Sequence, residues 1–175
     1  GHNSGVIHSG IYYKPGSLKA RLCVEGARLM KAFCTAHGIH WEPCGKIIVA
    51  TDERELGRLQ SIHERGQANG LSGLRILEGA EVKAHEPNCR AVRALHVPET
   101  GIVDYLQVAG KMGELLEKRG VEIKTGAGVR AIRRSGQALV LETARGAVES
   151  RFLVNCAGLY SDVVARLMGI RPEVR

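Results

Sequence analysis

His2-Asn3-Ser4-Gly5-Val6-Ile7-His8-Ser9-Gly10-Ile11-Tyr12-Tyr13 stands at the start of the chain, and its residue order decides how the remaining residues are read. Val6 and Ile7 form one short apolar pair and Ile11 adds a third apolar residue; the others are small, polar or aromatic. That is too little apolar surface for a core strand. Gly5 and Gly10 let the backbone approach another group closely or turn through positive φ. His2, His8, Tyr12 and Tyr13 each carry a polar tip on a flat ring. The composition suits a loop pressed against a planar, polar ligand. It equally suits a disordered or tag-like end, and composition alone leaves both open. With no apolar face of their own, residues 2–10 are expected to depend on such a ligand for their order.

The residue order separates the two. Asn3 to Tyr13, continued by Pro15-Gly16-Ser17-Leu18-Lys19, resembles the flavin-contacting segment of FAD-dependent oxidoreductases of the D-amino-acid oxidase superfamily. Within that superfamily it is most similar to the L-2-hydroxyglutarate oxidase/dehydrogenase family. The resemblance implies that Asn3, Ser4, Gly5 and Val6 line the cofactor FAD. In that family the segment follows a dinucleotide-binding βαβ unit, so the phosphate-binding loop is expected upstream of residue 1. The expected fold is α+β or α/β, an internal part of a two-domain enzyme. Residues 1–38 and 104–175 are the expected remnant of the FAD-binding domain, and 40–103 part of a mixed-sheet substrate domain. The fragment alone is expected to be inactive.

A length of 175 residues, 44% hydrophobic and 25% charged, is ordinary for a globular protein or part of one. No run of eighteen apolar residues offers a membrane span. The net charge of +7 raises nucleic-acid binding as a question. Lys and Arg are scattered, never more than two together, with acids between them and few aromatics to stack on bases, so no nucleic-acid partner is expected. The five cysteines show no CxxC pair or framework spacing, which favours a reducing compartment with free thiols. His37, His40 and Cys44 have a loosely metal-like spacing but no nearby fourth ligand, and no metal is expected there.

Along the chain, Ser17 reads as the N-cap of a helix running to about His37 and stopped by Gly38. Leu22, Gly26, Leu29, Met30 and Phe33 are its expected core stripe. Residues 45–51 read as a strand, Asp52 with Glu55 as the start of a helix, 74–77 and 92–97 as strands, and 78–85 as a short helix. Asp104 caps a helix over Tyr105–Arg119, with Leu106, Ala109, Met112, Leu115 and Leu116 expected in the core. Val121–Lys124 alternates as a strand. Val129–Ile132, Ala138–Thr143 and Val148–Val154 come next as an antiparallel meander, and Tyr160–Met168 as a last helix.

Gly126-Ala127-Gly128-Val129-Arg130-Ala131 matches G-x-G-x-x-A after an expected strand. A phosphate loop needs a helix next, because the pyrophosphate sits on a helix N-terminus. Ser135-Gly136 breaks the chain within a few residues and β alternation resumes after it, so the match is read as a decoy. By the family resemblance, Val129 instead presents its backbone to the adenine ring. Asn155-Cys156-Ala157-Gly158, at the end of an apolar run and before a helix, resembles the family's second cofactor motif, with Ala157 and Gly158 as contacts.

The resemblance implies an enzyme that oxidises L-2-hydroxyglutarate to 2-oxoglutarate by hydride transfer to flavin, with a small dicarboxylate as substrate. His8 is the candidate base for the hydroxyl proton, because histidine is the side chain suited to proton transfer at physiological pH and this one stands in the flavin-lining loop. A histidine that only positions the flavin or the loop remains open. So do an amine or amino-acid oxidase on the same scaffold and a non-catalytic basic binding domain. The ligands of the substrate carboxylates are expected beyond Arg175. The expected location is cytoplasmic, with peripheral membrane association and the electron acceptor left open.

Overall fold

Ile7 and Ile11, 2% and 1% exposed, decide where the N-terminal stretch goes. In the computed structural model, which describes residues 3–173, both are core residues. His2 of the quoted stretch lies outside the described residues. In chain order the first elements are β1 (Val6–Ile7), α1 (Leu18–Ala36), β2 (Trp41–Glu42), β3 (Lys46–Ala50) and α2 (Leu56–Ala68). Then come β4 (Arg75–Glu78), α3 (Gly79–His85), β5 (Arg93–Val97), β6 (Gly101–Val103) and α4 (Tyr105–Glu117). The last are β7 (Val129–Ser135), β8 (Ala138–Thr143), β9 (Gly146–Ser150) and α5 (Ser161–Leu167). They fall into two units, residues 1–115 and 116–175.

In the first unit β6 pairs antiparallel with β1 on one side and β2 on the other, and a second antiparallel sheet has the order β3-β5-β4. One core joins Ile11 to Ala50, Leu59, Leu71, Leu95 and Val97. Another joins Ile7 to Cys34, Ile39, Val103 and Val108, and a third gathers Leu77, Val82 and Ala94. Each large aliphatic side chain so buried contributes about 1.5–3 kcal/mol. Residues 1–38 and 40–103 therefore share their cores, and the chain divides into compact units at 115/116. The reason is local: Ile7 and Ile11 flank a turn at Gly10 and enter two cores at once. The expectation that the loop lacks a packing face is overturned by the same pair.

Ser17 caps α1 as expected, accepting a hydrogen bond from Ala20 N, and Gly38 at φ +66° comes just after its end. Of the expected stripe, Met30 and Phe33 pack against the core while Leu22 and Leu29 stay outside. Ala20, Val24, Ala27, Met30 and Cys34 pack, whereas Leu18, Leu22 and Leu29 are 65%, 62% and 52% exposed. Small residues win because the N-terminal turn comes close: a Cβ on Gly10 would stand 3.2 Å from Val24 Cγ2. In α4 the Asp104 carboxylate accepts from Leu106 N and Gln107 Nε2, which fixes the phase so that Val108 is buried and Tyr105 packs. Leu106, Met112 and Leu116, expected inside, are exposed.

In the second unit β7, β8 and β9 form the expected meander, turning at Gly136 (φ +60°) and Gly146 (φ +106°), and α5 packs on β7. Gly126–Gly128 precede β7, not a helix, so the G-x-G-x-x-A match presents no helix N-terminus. Val121–Lys124 forms no strand, and the run toward Val154 leaves the sheet after Ser150. A strand exists only where another edge pairs its N–H and C=O groups, and among the described residues neither run has one. No helix among the described residues is long and apolar enough to cross a membrane.

Candidate functional site

The backbone of the N-terminal loop is held by protein at almost every step. Asn3 Oδ1 accepts from Gly5 N at 2.9 Å, closing a small turn that Gly5 makes at φ +69°. Gly5 O accepts from Val103 N at 2.8 Å, and Val6 O accepts from the Tyr105 hydroxyl at 3.1 Å. Ser9, 2% exposed, accepts from the Thr100 hydroxyl, and His8 O accepts from Cys23 Sγ at 3.4 Å. The Asn69 side chain donates to Gly10 O and Tyr13 O, and Arg65 donates to Tyr12 O. Ile7 and Ser9 point inward, so strand-like alternation sends His8 out. What the loop offers outward is Asn3, Ser4, His8, Tyr12 and Tyr13, all exposed. Its order comes from the core, and its exposed side chains face outward from a backbone already held.

Ser4 and Gly5 line a cavity of about 400 Å³, with His40, Glu42, Ile102 and Asp104 among its other walls. Bare loop backbone, a hydroxyl and the apolar Ile102 suit the edge and face of a planar, polar ring. The carboxylates of Glu42 and Asp104 do not suit a pyrophosphate. Asp104 is held well ionised: hydrogen bonds, first from Leu106 N and then from the Gln107 side chain, push its pKa below the usual range. The residues lining this cavity thus suit the ring end of FAD and not its phosphates. His8 lies on the same loop but does not line this cavity.

Tyr12 has a different surrounding. Lys46 Nζ lies 4.3 Å from the centre of its ring, a cation–π contact. Burial pushes the Tyr12 phenol up, and the nearby Arg58 charge opposes the shift, so at neutral pH the group is a donating hydroxyl. Burial pushes the Cys23 thiol up against the opposing Lys46 charge, and it pushes the Lys46 ammonium down. Neither Lys46 nor Arg58 has a carboxylate partner among the described residues. Single scattered bases give no sequence signal for this grouping; the register of β3 and the phase of α2 create it.

The other expected cofactor contacts are in the second unit. Val129 opens β7, half-buried, and pairs with Thr143. Ala157 and Gly158 are exposed at the entry to α5, with Gly158 at φ +56° and open space where its Cβ would be. Asn155 shapes this turn, accepting from Ala157 N at 3.2 Å and donating to Ser161 O at 2.8 Å. The backbone there is bare and fixed, which suits close approach by a ligand.

Comparisons with known proteins agree over the whole chain. The family model described as FAD dependent oxidoreductase matches residues 1–175. The mitochondrial L-2-hydroxyglutarate dehydrogenase of Homo sapiens is 43% identical over 187 aligned positions, covering 100% of this chain and 40% of that protein. The L-2-hydroxyglutarate dehydrogenase of Indibacter alkaliphilus is 46% identical, covering 95% of this chain and 42% of its own length. Among solved structures, the L-alpha-glycerophosphate oxidase of Mycoplasma pneumoniae with FAD bound superposes at a TM-score of 0.84 and 25% identity, over 94% of this chain and 45% of that one. Glycine oxidase from Geobacillus kaustophilus, at a TM-score of 0.82 and 21% identity, shares the fold over 95% of this chain and 47% of its own. The chain thus spans less than half the length of these relatives.

Proposed function

The chain belongs to the family of FAD-dependent oxidoreductases, and on that premise we propose that it is part of an enzyme oxidising L-2-hydroxyglutarate to 2-oxoglutarate. The observation that carries the proposal is the match along 95–100% of this chain, at 40–46% identity, to L-2-hydroxyglutarate dehydrogenases of mammals and bacteria. FAD, when bound, supplies the two-electron oxidant for the C2–H bond. Asn3, Ser4, Gly5 and Val6 would hold its ring end, the Val129 backbone its adenine, and Ala157-Gly158 would allow close approach of backbone. In this reading residues 1–38 and 104–175 serve the flavin and 40–103 the substrate, a division of labour laid over shared cores.

His8 has the task of taking the proton of the C2 hydroxyl. Its backbone is fixed by the inward residues on either side and by the Cys23 thiol, while its imidazole faces out. A base so placed is ready without reorganising the loop. Five free cysteines suit a reducing compartment.

The test is anaerobic mixing of the FAD-loaded full-length protein with candidate substrates while the flavin absorbance is monitored. L-2-hydroxyglutarate should bleach the flavin, and D-2-hydroxyglutarate and L-amino acids should leave it oxidised. Bleaching by an amino acid and by neither hydroxy acid would replace the substrate assignment with an amino-acid oxidase.

A further inference from the structure

The two free cations beside Tyr12 take no part in the proton and hydride transfers proposed for His8 and the flavin. Arg58 lines a cavity of about 340 Å³ in the first unit, together with Tyr12, Ile48, Leu59 and Ile62. Glu55 is its single carboxylate, and both Thr51 N (2.7 Å) and Thr51 Oγ1 (3.0 Å) donate to it. Lys46 stands over the ring of Tyr12, half-buried, with the Cys23 thiol near enough to interact with its charge. A half-buried ammonium with no counter-ion carries a desolvation cost that an anion would offset. None of the eight ion pairs formed among the described residues includes Lys46 or Arg58.

We propose that Lys46, Arg58 and the Tyr12 hydroxyl form a subsite for the carboxylate of the substrate remote from its reacting carbon. The inference rests on the proposed dicarboxylate substrate and places one carboxylate ligand set within this chain, where the sequence alone puts both sets beyond Arg175. The walls argue for the remote end. Ile48, Leu59 and Ile62 suit methylene groups, the Arg58 guanidinium and the Tyr12 phenol in the same lining suit a carboxylate, Lys46 backs the Tyr12 ring from outside the lining, and Glu55 Oε2 is taken up by Thr51. The reacting end of a 2-hydroxy acid needs a proton acceptor; Glu55 is a weak one, because hydrogen bonds from Thr51 hold its pKa below the usual carboxylate range, and that task is given to His8. Tyr12 links the two places: it is on the same loop as His8, four residues on. Arg and Lys here are not interchangeable, since a guanidinium can grip both oxygens and an ammonium acts as a point charge.

The experiment compares Lys46→Met and Arg58→Met with wild type in the FAD-loaded full-length protein. Two substrates are used: L-2-hydroxyglutarate, and L-2-hydroxypentanoate, in which a methyl replaces the remote carboxylate. Binding of glutarate, which has no hydroxyl to oxidise, is measured by calorimetry. Each neutral variant should raise KM for the diacid and Kd for glutarate by about 10- to 100-fold, the usual worth of a hydrogen bond to a charged group. kcat should stay within about threefold, and KM for the monoacid should not move, because the lost interaction is the same in ground and transition states. Lys46→Arg should keep most of the affinity. Arg58 is exposed on α2, so its variant tests the proposal even if Lys46→Met fails to fold. Equal changes for diacid and monoacid, or none for either, would overturn the subsite and leave the proposed reaction standing. If wild type does not oxidise L-2-hydroxyglutarate, the reaction falls, and glutarate affinity still decides the subsite: weakened by the variants it stands, unchanged it falls.

Discussion

The two units of this chain treat their apolar residues in opposite ways. Residues 1–115 close three buried clusters, in which Leu77, Leu95, Val82 and Val97 are all 0% exposed. In residues 116–175 the buried hydrophobics are Leu139 and Leu141, at 8% and 9%, whereas Phe152, Val154 and Leu159 are 82%, 81% and 91% exposed. The first unit closes its cores while leaving Leu18, Leu22 and Leu106 on its surface. The second carries strand-like runs at 121–124 and 151–156 whose partners are not among the described residues. Large aliphatic and aromatic side chains in such runs are made for burial. The expected cofactor contacts Ala157 and Gly158 lie beside one of these runs, so the least self-sufficient part of the chain adjoins a proposed ligand site.

Cutting the chain at 115/116 should give the largest effect. Residues 1–115 alone should melt in one cooperative transition by circular dichroism, and residues 116–175 alone should show none, because so small a piece with so little core cannot offset its conformational entropy. A cooperative melt of the smaller piece would end the contrast. Single substitutions in the chain 1–175 should come next in size. Leu95→Ala should lose about 2–5 kcal/mol in urea unfolding, as removal of a fully buried leucine does. Phe152→Ser should stay within about 0.5 kcal/mol, as exposed changes do. Comparable losses at the two positions would show that Phe152 is already covered.

The smallest effect concerns acid. Burial first, then the charges of His85 and Arg75, lowers the pKa of His96 on β5, whose ring lies 4.8 Å from that of His85. Below the ordinary histidine value of about 6.5 the unfolded chain therefore takes up a proton that the folded unit resists. Stability contributed by His96 is present above that pH and is lost as the pH falls through the lowered folded value. Urea midpoints of residues 1–115 should decline on acidification across this window, and His96→Gln should flatten the slope.

Legibility in the sequence depends on whether a signal is periodic. β3, α2, β5 and the β7–β9 meander show as β-branched runs, capped stripes and glycine turns, and all form. β1 and β6 escape detection because pairs and triplets such as Val6-Ile7 and Gly101-Ile102-Val103 are too short for alternation to register. The inward faces of α1 and α4 differ in part from the stripes of large residues that periodicity points to. Close packing at Gly10 and the cap at Asp104 instead select Ala20, Val24 and Val108. For the site, the order of Asn3–Tyr13 carries the cofactor assignment, yet the anchoring by Tyr105, Asn69 and Thr100 is long-range and leaves no local trace. Lys46 and Arg58 are invisible for the same reason.

The central claim is that this loop has its backbone built into the protein so that His8 can act on substrate. The direct test is flavin reduction by L-2-hydroxyglutarate in FAD-loaded full-length His8→Gln, measured by stopped flow beside wild type. Bound FAD with an unchanged spectrum, a rate lower by about 10²- to 10⁴-fold and a smaller change in KM are the expected results. A wild-type rate of flavin reduction in the variant would contradict the claim and remove His8 from the chemistry.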